Sequence, residues 1–149
     1  DHIFGALILS EQYSLPFEVP ENDLSTFRQA SQSAAMFGLS GFEVPEPQPG
    51  LKEGKDQLGA VSFDILLTPG HSVGHVVFVF HEKKWVIGGD VLFQGSIGRT
   101  DLPGGDFDTL ERSIKNKLYP LPDDYTVYCG HGPETTIGWE KKNNPFVRA

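Results

Sequence analysis

Three apolar runs in this chain of 149 residues end in the same way, and that repetition restricts the fold more than any other feature. Ile65-Leu66-Leu67 leads into Thr68-Pro69-Gly70-His71, Trp85-Val86-Ile87 into Gly88-Gly89-Asp90, and Val127-Tyr128-Cys129 into Gly130-His131. Short β-branched and aromatic runs read as strands, and a glycine just past a strand lets the backbone turn sharply. The following side chain can then point across the end of a sheet, where rigid sites are built. His71, Asp90 and His131 occupy those positions, and each is able to ligate a metal. Asp1-His2 adds two more candidates ahead of an apolar, helix-like stretch. Imidazoles and carboxylates without thiolates suit zinc first, with iron or manganese also suited, and argue against a closed all-cysteine structural site.

The rest of the pattern is mixed. Val61, Phe63, Ile65 and Leu67 alternate with other residues, and Val76 to Phe80 is a further strand-like run. Glu82-Lys83-Lys84 is a charged turn, so residues 74–88 are expected to form a hairpin. Helices are predicted over 3–13 and from an Asn22-Asp23 cap through Leu24, Phe27, Ala30, Ala34 and Phe37 to a stop at Gly38. Another is predicted from a cap-like Asp108…Glu111 pair through Leu110, Ile114 and Leu118 to Pro120, and a short one over 135–142. A last strand is predicted over 125–128. Residues 44–55, with Pro45, Pro47, Pro49 and Gly50, read as an extended connector too short for a domain linker. The expectation is therefore one mixed α/β domain over residues 1–149, with a sheet covered by helices.

Composition and charge exclude several classes. Apolar residues make up 38% of the chain, and with its 17 glycines about 49%, which is the range of folded soluble domains rather than of disordered ones. Its longest uninterrupted apolar runs are far short of the roughly twenty residues of a membrane-spanning helix. With 12 Lys and Arg against 20 Asp and Glu the net charge is −8, and no basic cluster is visible, so neither nucleic acid nor a membrane is the expected partner. The single cysteine, Cys129, forms no internal disulfide and fits a reducing compartment, so a cytoplasmic location is expected. His75, His81 and Cys129 have structural readings. His75 would orient a loop near the site, His81 would lie on the hairpin surface, and Cys129 would be a small core residue.

Taken in order, Thr68-Pro-Gly-His71-Ser-Val-Gly-His75, Gly88-Gly-Asp90, Gly98-Arg-Thr-Asp101 and Cys129-Gly-His131-Gly-Pro133 resemble the metallo-β-lactamase superfamily. Within it they are most similar to the glyoxalase II-like, or hydroxyacylglutathione hydrolase-like, branch. The family's leading signature is H-x-H-x-D-H, and Asp1-His2 followed by Ile3-Phe4-Gly5 matches its end. The resemblance implies a four-layer α/β/β/α sandwich, here N-terminally incomplete, with two histidines and the first strands expected ahead of Asp1. It implies two divalent metal ions, one held by Asp1, His2 and His131, the other by His71, with Asp90 bridging both. It further implies a hydrolase acting on a small-molecule thioester through a metal-bound hydroxide, with Asp1 and Asp90 as catalytic carboxylates.

The loop from Gly95 to Asp106 is expected to rim the pocket. Arg99 there either meets an anionic group of the substrate or simply pairs with Asp101. The C-terminal helical extension that supplies glutathione contacts in true glyoxalase II does not follow His131 here, so another thioester, or a more open site, is also compatible. Two alternatives accompany this reading. One is a mononuclear iron persulfide dioxygenase, which shares the scaffold and the G-R-T-D loop. The other is a catalytically silent metal-binding partial domain, whose unpaired sheet edge would favour a homo-oligomer.

Overall fold

A computed structural model describes residues 2–36, 38–39 and 41–148. Asp1, a ligand candidate, and Phe37, counted in the helical stripe, lie outside the described residues. The chain divides into two compact units, one up to Leu51 and one from Lys52 onward.

The first unit contains α1 (Ala6–Tyr13), β1 (Glu18–Pro20), a 3₁₀ turn (Glu21–Asp23), α2 (Leu24–Arg28), α3 (Ala30–Met36) and β2 (Gln48–Leu51). The predicted single helix after Asp23 is two helices. Gln29, at φ −94° and ψ 3°, leaves the helical region, and its N–H is shared between the carbonyls of Ser25 and Thr26. The predicted connector contains strands as well. Prolines lack the N–H that a central strand needs but are tolerated in a marginal pair, and here β1 and β2 form a parallel two-stranded ladder.

The second unit is built on a sheet of order β10-β9-β6-β5-β4-β3. Its strands are β3 (Gly54–Leu58), β4 (Val61–Leu67), β5 (Val76–Phe80), β6 (Trp85–Gly89), β9 (Thr126–Cys129) and β10 (Thr135–Thr136). Between β6 and β9 lie a small hairpin, β7 (Leu92–Phe93) and β8 (Ser96–Ile97), and helix α4 (Phe107–Ser113), which runs into a π-helical turn at Ile114–Leu118. Helix α5 (Ile137–Asn143) follows β10. β4 and β6 are both antiparallel to β5, and β6 is parallel to β9. Hence β4, β6 and β9 run in one direction and finish at one edge of the sheet.

The period of two along β5 and β6 explains which face is covered. Val77, Val79, Val86 and Val127 are fully buried against Leu110, Ile114, Leu118 and Ile137, which are themselves fully buried. Each such side chain contributes on the order of 1.5–3 kcal/mol when withdrawn from water. The opposite face carries aromatic pairs, Phe63 with Phe78 and Phe80, and Trp85 edge-on to Tyr128 at 5.6 Å. β3, the edge strand, is exposed along its whole length and carries Lys55 and Asp56, the charged composition that discourages edge-to-edge pairing. Among the described residues no helix is long and apolar enough to cross a membrane.

Two caps fix the helices on this sheet. The predicted Asp108…Glu111 cap is replaced by Asp106, whose extended backbone places its carboxylate to accept from Thr109 N–H at 2.8 Å. Asp108 instead lies in the first turn, where its charge suits the positive end of the helix. Thr136 caps α5 by accepting from Trp139 N–H.

Glu140 in α5 is fully buried. Its carboxylate accepts from Thr135 Oγ1 at 2.5 Å, Asn144 Nδ2 at 2.8 Å and Gly95 N–H at 3.2 Å, tying the β7–β8 hairpin to the C-terminal helix. Nearby, the Tyr119 hydroxyl donates to the Val147 carbonyl at 2.6 Å. Burial, reinforced by the charge of Glu140, pushes this phenol from 10.0 up to about 12. Its contribution to stability is therefore complete below pH 10.0 and is lost as pH rises through about 12. Urea midpoints measured across that window should fall, and Tyr119→Phe should flatten the fall.

Candidate metal centre

Because β4, β6 and β9 finish together, the residues just beyond them meet. Asp90 follows β6, and its Oδ2 lies 3.6 Å from His71 Nε2 and 3.5 Å from His131 Nε2. The Asp90 side chain is 14% exposed, His71 21% and His131 54%, so the group opens toward solvent on the His131 side.

Backbone groups hold each member. His71 Nδ1 lies 2.9 Å from the carbonyl of Arg99, which can only accept, so Nδ1 carries the proton and Nε2 presents a lone pair beside Asp90. The turn that carries His71 rests on α4, with Asp106 N–H donating to the Gly70 carbonyl and Ser113 Oγ donating to the Pro69 carbonyl. Gly130 N–H donates to the Gly89 carbonyl at 2.8 Å, which fixes the residue ahead of His131 against the residue ahead of Asp90. Gly98 lies on the Asp90 backbone so closely that a Cβ there would come within 1.9 Å of the Asp90 carbonyl oxygen, so only glycine fits.

Such a donor set fits a divalent cation. Each imidazole nitrogen lies from Asp90 Oδ2 at the separation expected of two ligands that each lie about 2.0–2.2 Å from a shared ion, so the carboxylate can share a cation with His71 and a cation with His131. The hydrogen bond from His71 to a backbone carbonyl is the usual companion of a metal-bound imidazole.

The other candidates are distributed as follows. His2 is exposed, in the first unit, and borders a cavity of about 300 Å³ lined by Ile3, Ala6, Leu9, Leu15 and Phe17. Arg99 is engaged in a bidentate pair with Asp101, at 2.8 Å and 2.7 Å, so of the two sequence readings the loop pair is the arrangement seen. His81 is half-exposed on the hairpin, with Nδ1 3.0 Å from the Tyr125 hydroxyl and Nε2 3.0 Å from Asp64. Cys129 packs against the core, and burial raises its thiol pKa. Sequence reasoning missed the part played by the Arg99 carbonyl, because a backbone acceptor leaves no signature in residue type. It also missed Glu140, which reads in the sequence as one more charge on a polar helix.

A model of the metallo-β-lactamase superfamily matches residues 1–131, running through both units. The chain belongs to that superfamily. It is 41% identical to the hydroxyacylglutathione hydrolase GloC of Haemophilus influenzae over all of this chain and 72% of that protein, consistent with the glyoxalase II-like branch. Among solved structures it is similar to the BLEG-1 B3 metallo-β-lactamase, with a TM-score of 0.91 and 36% identity over 100% of this chain and 73% of that one. It is also similar to TTHA1623 in a di-iron-bound form, with a TM-score of 0.87 and 41% identity over 99% of this chain and 72% of that one. The fold is thus the metallo-β-lactamase fold, which binds divalent metals and is associated with hydrolases.

The Arg99–Asp101 pair is testable by titration. The guanidinium holds the Asp101 carboxyl down at about 2, so by NMR its side-chain resonance should titrate there and move up toward 3.8 in Arg99→Ala.

Proposed function

We propose that this chain is a metal-dependent hydrolase of small thioesters of the hydroxyacylglutathione type. The observation that carries the reading is the convergence of His71 Nε2 and His131 Nε2 on one oxygen of Asp90, with the His71 tautomer set by the Arg99 carbonyl. Asp90 would be shared between two divalent ions, with His71 holding one and His131 the other, and the motif match adds Asp1 and His2 to the ligands of the His131 ion. Zinc is the first expectation for the metal's identity, and the di-iron form of TTHA1623 supports iron as the competitor.

When bound, divalent ions at such a site lower the pKa of a coordinated water from about 15.7 to near 7 and polarise an acyl carbonyl. The chain's own residues do the positioning. Asp90, and by the motif match Asp1, would offset the positive charge, while His71 is held by a backbone acceptor and His131 stands on the solvent-facing side, where a substrate would enter. Arg99 lies on the loop after β8 and would meet an anionic group by exchanging Asp101 for it. No side-chain nucleophile is required, and the half-buried thiol of Cys129, its pKa raised by desolvation, is poorly suited to be one.

Steady-state assays with S-lactoylglutathione and with thioesters lacking glutathione, on protein loaded with zinc, iron or manganese, test this directly. Hydrolysis of at least one thioester is expected, abolished by chelation and reduced by about 100-fold or more in Asp90→Ala, beyond the loss typical of an outer hydrogen-bond partner. Arg99→Ala should raise KM for anionic substrates by no more than about 5-fold with kcat unchanged. Failure to turn over any thioester would reject the assignment, and one bound iron with oxygen consumption would assign an oxygenase instead.

A further inference from the structure

The imidazole of His75 lies beneath the turn that presents Asp90. Its Nε2 is 3.2 Å from Asp90 N–H, and its Nδ1 is 3.2 Å from Thr68 Oγ1. A backbone N–H can only donate, so Nε2 holds a lone pair and Nδ1 carries the ring proton, which is donated to Thr68. Thr68 is fully buried, its own N–H donates to the His75 carbonyl at 2.7 Å, and its hydroxyl faces the same carbonyl at 3.4 Å. The ring is therefore locked in one tautomer by the residue that follows β4.

Gly89 makes room for it. Its φ of +50° is a left-handed conformation, and a Cβ at this position would come within 2.8 Å of His75 Nε2. The carbonyl of the same Gly89–Asp90 peptide accepts from Gly130 N–H. Both polar ends of one peptide plane are thus held, by His75 on the loop that carries His71 and by the residue preceding His131.

We propose that His75 is the positioning residue of this centre, fixing the Asp90 backbone so that one carboxylate oxygen faces both His71 and His131. The inference rests on the proposed metal-binding role of those three residues. A small rotation of the Gly89–Asp90 plane would move Oδ2 relative to two imidazoles at once, so loss of the clamp should weaken metal binding without removing a ligand. Glutamine can partly stand in, since its amide offers an acceptor and a donor on one rigid group, whereas leucine offers neither.

Cobalt(II) titration of the full chain, followed by visible absorption and metal analysis, tests the proposal. The unsubstituted chain should bind cobalt. His75→Leu should bind about 10- to 100-fold more weakly with a changed d–d spectrum, and His75→Gln should recover part of both. Thr68→Val should weaken binding and Thr68→Ser restore it, which keeps the test decisive if His75→Leu does not fold. Unchanged affinity and spectrum in the His75 and Thr68 variants would overturn the inference while leaving the proposed function standing. Equal losses in His75→Leu and His75→Gln that follow only their melting temperatures would also overturn it, by showing a role in folding alone. Absence of cobalt binding by the unsubstituted chain would instead remove the proposed function, and this inference with it.

Discussion

Between Gly89 and Asp90 a single peptide plane is hydrogen-bonded at both polar ends, the carbonyl accepting from Gly130 N–H and the amide donating to His75. Asp90 is a short side chain with two rotatable bonds, so fixing its backbone fixes most of where its carboxylate can go. His71 and His131 each reach the same oxygen from a different strand end, and neither can do so unless that oxygen is in place. The three loops are therefore interlocked through backbone groups, which is a stiffer arrangement than side chains alone could give.

That interlock needs a rigid base, and the buried valines of β5 and β6 provide one. Val77, Val79 and Val86 allow no solvent between the sheet and α4, and α4 in turn braces the His71 turn through Asp106 and Ser113. On the other flank, the buried carboxylate of Glu140 gathers donors from β10, the residue that follows α5 and the β7–β8 hairpin. A buried carboxylate is tolerable only when its oxygens are so satisfied. The hairpin it anchors runs directly from Asp90 to Gly98 and Arg99, whose carbonyl orients His71. Helix packing and the metal centre are in this way linked through short covalent spans.

Much of this was legible in the sequence because strand periodicity and glycine placement are local. The alternation around Val61–Leu67, the run Val76–Phe80 and the strand–glycine–ligand repeat each declare themselves within a few residues, and the observed strands coincide with them. What escaped was decided by pairing at a distance. Residues 48–51 look like a proline-rich connector until β1 is beside them, and Asp108 looks like a cap until the extended backbone at Asp106 takes that role. From the sequence His75 reads as orienting a loop near the site, but the group it holds is not legible there. That group is Asp90 N–H, fifteen positions along.

The charge balance bears on how a substrate would reach such a centre. The chain carries −8 overall, and Arg99, the cation on the loop after β8, is already neutralised by Asp101. At physiological ionic strength fields from exposed charges fade within about 8 Å, so the protein's net charge neither draws in nor strongly repels a distant anion. For the proposed anionic thioester, recognition would depend on contacts made at the rim, where exchanging Asp101 for a substrate carboxylate would replace one ion pair with another. Such an exchange yields little net affinity, because an exposed pair is worth about 0–1 kcal/mol in either partner. Affinity would come chiefly from the centre itself, where Asp90 supplies one negative charge between His71 and His131 and divalent ions held there would supply net positive charge beside the solvent-exposed His131.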